Sequence, residues 1–217
     1  GQTHVKRTLQ NALLASKTTH AYLFSGPRGT GKTSTAKIFA KALNCENAPA
    51  NEPCNECATC LSITEGSHTD VIEFDAASNS RVEEMRDIIE KVRFAPANAR
   101  FKVYIIDEVH MLTDSAFNAL LKTLEEPPKH AIFILATTEI HKLPATILSR
   151  CTRFDFKLLP INTLVEHLKN VFNKKSIICD EKSLQLIAKA GEGSVRDMLS
   201  IADSVASFCD YKITIQA

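Results

Sequence analysis

Gly26-Pro27-Arg28-Gly29-Thr30-Gly31-Lys32-Thr33 fits the spacing G-x-x-x-x-G-K-[ST], directly after the apolar run Ala21-Tyr22-Leu23-Phe24 and directly before a helix-like pattern. Each residue type in such a loop has a separate task. The glycines let backbone N–H groups turn inward around a β-phosphate, the lysine reaches the β/γ oxygens, and the hydroxyl can ligate Mg2+. A Gly-rich turn is the plain alternative, but a strand in front and a helix behind are the context that phosphate binding requires. The expected nucleotide contacts are Gly26, Gly29, Thr30, Gly31, Lys32, Thr33 and Ser34, with Thr33 as a magnesium ligand.

Downstream, Ala36, Phe39, Ala40 and Leu43 fall on one face of a helix expected from Lys32 to about Asn44, its N-terminal dipole end facing the phosphates. The second half of the site is expected at Phe101-Lys102-Val103-Tyr104-Ile105-Ile106-Asp107-Glu108. Such a β-branched run reads as a parallel strand buried on both faces, ending at the ligand crevice. Asp107 would hold Mg2+ opposite Thr33, and Glu108 would orient or deprotonate the attacking water. Ordinary solvated acids at a strand end are the alternative. Asp107-Glu108-Val109-His110 also has the form of a helicase box, yet one phosphate loop in 217 residues leaves no room for two motor domains.

Other segments complete an alternating α/β pattern. Val5, Leu9, Ala12 and Leu13 predict an opening helix that ends near Ser16. Val71 to Asp75 predicts a strand, followed by a polar turn over 76–80 and a helix striped by Val82, Met85, Ile89 and Val92. Phe117, Leu120, Leu121 and Leu124 mark a helix stopped by Pro127-Pro128. Ile132 to Ala136 is a further buried strand, with Thr137-Thr138 at its end. Leu143 to Cys151 reads as a short helix carrying Arg150, and Arg153 to Phe156 as a last strand. Past Pro160 there are three helical stripes and no convincing strand, so the boundary is set near residue 158. A first domain over 1–158 precedes a three-helix domain over 159–217. Arg196 stands on the first turn of the third helix; a solvated charge or a local pair with Asp197 would explain it equally well.

Between the first two strands lies Cys45-x8-Cys54-x2-Cys57-x2-Cys60, in an insert over about 45–61 whose Pro and Asn content suits turns. Four thiolates complete a tetrahedral shell, which suits structural Zn2+; an iron-sulfur cluster or a redox pair could use the same side chains. The seven cysteines suggest metal chemistry in a reducing compartment more than a disulfide framework. With 44% hydrophobic and 24% charged residues the composition is that of a globular chain. The formal charge of +1 gives no general pull towards nucleic acid, and no apolar run reaches the roughly 20 residues of a membrane span. No signal peptide opens the chain, so a cytoplasmic location is expected.

These pieces resemble the clamp-loader ATPases of the bacterial DNA polymerase III gamma/tau family, AAA+ proteins. The resemblance runs along the whole chain. It is carried by the cysteine insert, Ile106-Asp107-Glu108-Val109-His110-Met111-Leu112, Asn118 to Pro128, and Ser149-Arg150-Cys151. It implies a RecA-like parallel sheet flanked by helices with a three-helix lid, ATP and Mg2+ as cofactors, and Zn2+ on Cys45, Cys54, Cys57 and Cys60. It further implies Thr138 as the first nucleotide sensor, Arg150 as an arginine finger acting on a neighbouring subunit, and Arg196 as the second sensor within the same chain. Implied partners are other clamp-loader subunits in a hetero-pentamer, the sliding clamp, and primed DNA gripped by the assembly. Family members have adenine-pocket residues before the Gly1 equivalent and a ring-building collar after the Ala217 equivalent. A non-catalytic, zinc-stapled nucleotide scaffold or a P-loop kinase are the rival readings.

Overall fold

The computed structural model describes residues 1–78, 82–209 and 211–214. It divides into two units: Thr3–Gly26 with Lys32–Asp155, and Phe156–Ala217 with Gly1–Gln2 and Pro27–Gly31. In the first unit α1 (Thr3–Leu14) leads into five strands: β1 (Ala21–Ser25), β2 (Val71–Asp75), β3 (Lys102–Asp107), β4 (Ala131–Thr137) and β5 (Thr152–Asp155). They form a parallel sheet in the order β2-β3-β4-β1-β5.

Successive strand residues point to opposite faces, so a strand covered on both sides must be apolar throughout. Val103 to Ile106 and Ile132 to Ala136 meet that requirement and are buried. On one face Tyr104, Ile106, Phe133 and Leu135 join Met85, Val92, Leu120 and Leu124 from α4 (Val82–Val92) and α5 (Asp114–Glu125). The rings of Tyr104 and Phe133 stack with centroids 5.3 Å apart. Each such buried side chain contributes about 1.5–3 kcal/mol. α2 (Lys32–Asn44) packs on β3 and β4, burying Ala36, Phe39, Ala40 and Leu43. Register aligns Ser25 with Thr137 and Asp155, and Asp75 with Asp107, so the strands end together.

Several local expectations need correction. The last residues of the insert are helical: α3 (Ala58–Glu65) is capped by Cys57, whose sulfur accepts the Cys60 N–H, and closed by Gly66 in the left-handed region. The helix expected over 143–151 shortens to α6 (Ala145–Leu148), and Arg150 lies beyond it. β5 begins and ends one residue earlier than the pattern suggested. Asn79 and Ser80 of the expected turn, and the side chain of Val82, lie outside what is described.

In the second unit α7 (Ile161–Lys175), α8 (Glu181–Ala190) and α9 (Val195–Phe208) bury Leu164, Leu168, Phe172, Leu184, Ile187, Ala188, Met198 and Ala202 together. Two short strands, β6 (Ile178–Cys179) and β7 (Lys212–Ile213), pair in parallel where none was expected. Two residues carry too little periodicity to be read from sequence. Ile213 is buried in the helical core and brings the pair into register.

Candidate functional site

The C-terminal ends of β1, β3 and β4 supply the chemistry of the first unit. Thr33, in the first turn of α2, donates its hydroxyl to Asp107 Oδ2 at 2.5 Å, although 74 residues separate the two in sequence. Lys32 is buried, and its Nζ donates to the Gly26 carbonyl at 2.8 Å. Gly26 in turn donates its N–H to the carbonyl of Thr137, the last residue of β4, at 3.2 Å. Ammonium, hydroxyl and carboxylate therefore meet at one edge of a rigid sheet. Ser34, on the next position of α2, is exposed.

Within the second unit, the loop tip Pro27–Gly31 is held from two sides. Buried Thr30 donates its hydroxyl to the Pro27 carbonyl at 2.8 Å, and the Gly29 carbonyl accepts the Val195 N–H at 3.0 Å. Gly29 has φ +72°, and a Cβ there would lie 1.9 Å from Ser194 Oγ, so both backbone and space require glycine. Gly31 has φ +94° with open space around it, so its demand is conformational alone. The first turn of α9, which carries exposed Arg196, lies against Gly29.

Glu108 follows Asp107 with φ 45° and ψ 45°, a left-handed conformation uncommon outside glycine. Its Oε2 accepts from Thr138 N at 3.1 Å and from Thr138 Oγ1 at 2.9 Å, so the expected water-activating acid and the expected sensor are in direct contact. Arg150 is elsewhere in the same unit. It donates to Glu125 Oε1 at 2.7 Å and to the Thr146 carbonyl at 2.8 Å. Sequence reasoning did not single out Glu139, which the structure sets 3.4 Å from His110. A carboxylate one residue past Thr138 was the available signal.

The sulfurs of Cys45, Cys54, Cys57 and Cys60 all lie within 4.8 Å of one another. Cys54 Sγ and Cys60 Sγ are 3.9 Å apart. Tetrahedral zinc with Zn–S bonds near 2.3 Å calls for S···S spacings of about 3.8 Å. Backbone N–H groups of Cys54, Cys57 and Cys60 point at Cys45, Cys54 and Cys57 sulfurs respectively, at 3.4–3.5 Å. Backbone donors from Glu56 and Cys57 lower the Cys54 thiol to about 6, while burial raises Cys60 to about 12. The donor set fits a closed four-coordinate metal site. The Thr33, Lys32 and Asp107 cluster likewise fits a nucleotide phosphate with its divalent cation.

A family profile described as DNA polymerase III, delta subunit, matches residues 1–160, and one described as DNA polymerase III clamp loader subunit, ATPase lid domain, matches residues 163–210. The chain is 62% identical over 208 residues to DNA polymerase III subunit tau of Bacillus subtilis, covering 96% of this chain and 37% of that protein. It is 50% identical over 217 residues to subunit tau of Escherichia coli, covering 100% of this chain and 34% of that protein. The chain thus spans about a third of the length of these relatives. Among solved structures, the Thermotoga maritima RuvB Holliday junction branch migration motor shares the fold with a TM-score of 0.68 at 18% identity, covering 99% of this chain and 66% of that one. Both profiles describe DNA polymerase III subunits, the lid profile names the clamp loader, and the relatives identical at half or more of the aligned positions are subunit tau: the chain belongs to the DNA polymerase III tau/gamma clamp-loader family.

Proposed function

We infer that this chain is the ATP-hydrolysing portion of a replicative clamp-loader subunit, an ATPase domain over 1–158 followed by a three-helix lid over 159–217, working in the cytoplasm. The observation that carries the reading is the meeting of Thr33 and Asp107 at 2.5 Å, next to Lys32 on α2. Lys32 would neutralise phosphate charge, and Thr33 and Asp107 would hold Mg2+, which when bound would supply further charge neutralisation at the phosphates. Glu108 orients the attacking water, Thr138 reports on the γ-phosphate, and Arg196 links nucleotide state to the lid. Arg150 serves the ATP of a neighbouring subunit; arginine fingers contribute roughly 10^3–10^5 in rate in comparable phosphoryl transfers. Zn2+ on the four cysteines staples the insert and takes no part in the reaction.

In a hetero-pentameric ring, hydrolysis by such subunits opens and then releases the sliding clamp on primed DNA, which the ring grips through backbone contacts from several subunits. The test uses the full-length subunit assembled with its ring partners. ATP turnover should rise when clamp and primed DNA are added, with ADP and phosphate as products. A phosphorylated small molecule would instead mark a kinase, and nucleotide binding without turnover would mark a scaffold.

A further inference from the structure

Next to Glu108 stands a histidine that none of these steps uses. The His110 side chain is 5% exposed. Its Nδ1 lies 3.0 Å from Thr137 Oγ1 and 3.3 Å from Glu108 Oε2, while Nε2 lies 3.4 Å from Glu139 Oε1. Three oxygens thus share a ring that has two nitrogens. Each oxygen is tied to the functional end of the sheet. Thr137 is fully buried, its hydroxyl accepts the Glu139 N–H at 3.0 Å, and its carbonyl holds the Gly26 N–H. Glu139 is anchored by Lys142 Nζ at 2.9 Å and has His141 Nε2 at 3.5 Å. Glu108 Oε2 already accepts two hydrogens from Thr138.

A histidine that merely filled core space would not need two carboxylates beside it at the end of the sheet. The backbone of Glu108 points the same way, because a left-handed residue other than glycine costs about 1–3 kcal/mol and persists only where its surroundings over-determine it. A glutamate has three side-chain torsions, and its Oε2 meets Thr138 on one side and the imidazole on the other.

The geometry points to His110 as a positioning residue for ATP hydrolysis: buried between Glu108, Thr137 and Glu139, its ring keeps the Glu108 carboxylate against Thr138, so that the water-activating oxygen stands in one place. This rests on the reading of Glu108 as the group that orients the water. Its contacts are to Glu108, Thr137 and Glu139, so it acts through Glu108, and its loss should lower the rate of the chemical step without weakening ATP binding.

The experiment compares His110→Leu, which fills volume without hydrogen bonding, with His110→Gln, which restores a polar reach, in the full-length subunit assembled with its ring partners. His110→Leu should lower kcat roughly ten- to a hundredfold, the scale of a 1 Å misplacement. KM for ATP and the affinity for a non-hydrolysable ATP analogue should stay within about twofold. His110→Gln should recover much of kcat, and its unfolding midpoint should match that of the unaltered protein. Unchanged kcat in His110→Leu, equal defects in Leu and Gln, or a loss of affinity in step with kcat would overturn the inference. Glu108→Gln serves as the control in the same assembly. Native turnover by that variant would overturn the reading of Glu108 itself, and this inference with it.

Discussion

Asp107 reaches Thr33 because both ride on buried elements: β3 is apolar on both faces from Val103 to Ile106, and α2 buries Ala36, Phe39, Ala40 and Leu43 against the sheet. Cys45, Cys54, Cys57 and Cys60 converge just as closely, yet between Cys45 and Cys60 no other apolar side chain except Ala and Pro occurs. One site is organised by hydrophobic burial before any ligand arrives; the other has, besides its sulfurs, mainly exposed polar contacts such as Lys6 with Glu52 and Thr59 with Glu46. Order inherited from a core should survive loss of the ligand, and order supplied by an ion should not.

The largest effect expected from this contrast is on the insert. Structural zinc sites in small peptides contribute roughly 10–16 kcal/mol of apparent binding energy at pH 7. Chelation, or Cys54→Ser with Cys57→Ser, should therefore release residues 45–60 to limited proteolysis while the unfolding midpoint of the sheet moves little. An insert that stays protease-resistant after complete chelation would break the comparison. Next in size, Lys32→Ala removes a charged hydrogen-bond donor to phosphate and should cost about 2–3 kcal/mol of ATP affinity by equilibrium binding. The fold should be disturbed far less than binding, since the strands do not depend on the ligand.

A third test probes how the core side is braced. Asp70 is buried and accepts the N–H groups of Ala97, Asn98 and Ala99 at 2.9–3.1 Å. Burial alone would raise its carboxyl, but these three donors, with His68 nearby, outweigh burial and hold it below the usual range. A depressed folded value means that the stabilisation is present above the unfolded carboxylate value, about 3.9, and is lost as pH falls through the folded one. Asp70→Asn should cost about 1–3 kcal/mol at neutral pH and flatten the acid limb of a denaturation profile. The smallest effect is expected at Arg150, whose partly exposed pairing with Glu125 is worth below about 1 kcal/mol. Glu125→Ala should leave the unfolding midpoint almost unmoved, and a large drop would show that this surface pair is structural.

How far each region could be read from sequence follows from the same difference. The stripe Phe117, Leu120, Leu124 and the run Val103 to Ile106 announced their elements because burial imposes a period, and the glycine loop announced its chemistry because few residues satisfy its backbone. α3 was missed because its N-terminus is capped by a cysteine sulfur instead of the usual oxygen side chain, amid Pro and Asn that argue for turns. The β6–β7 pair was missed because two residues per strand leave no alternation to detect. At the site, Thr33 with Asp107 and Glu108 with Thr138 were legible as types and spacings, whereas the role of Glu139 depends on a three-dimensional neighbour, His110. Pro27–Gly31 meets the first turn of α9 through the backbone bond from Val195 to Gly29 and the close approach of Ser194 to Gly29, which no side-chain pattern encodes.

The left-handed backbone of Glu108 restricts which replacements a lineage could try there. Asparagine, aspartate and glycine enter that region with little penalty, whereas valine, isoleucine and threonine are rejected by their branched Cβ whatever their chemistry. A library saturating this codon should therefore sort twice: folding would discard the branched residues, and turnover would then discard nearly everything else. Selection for shape and selection for reactivity fall on the same residue, and a survey that scored only abundance would mistake the first for the second.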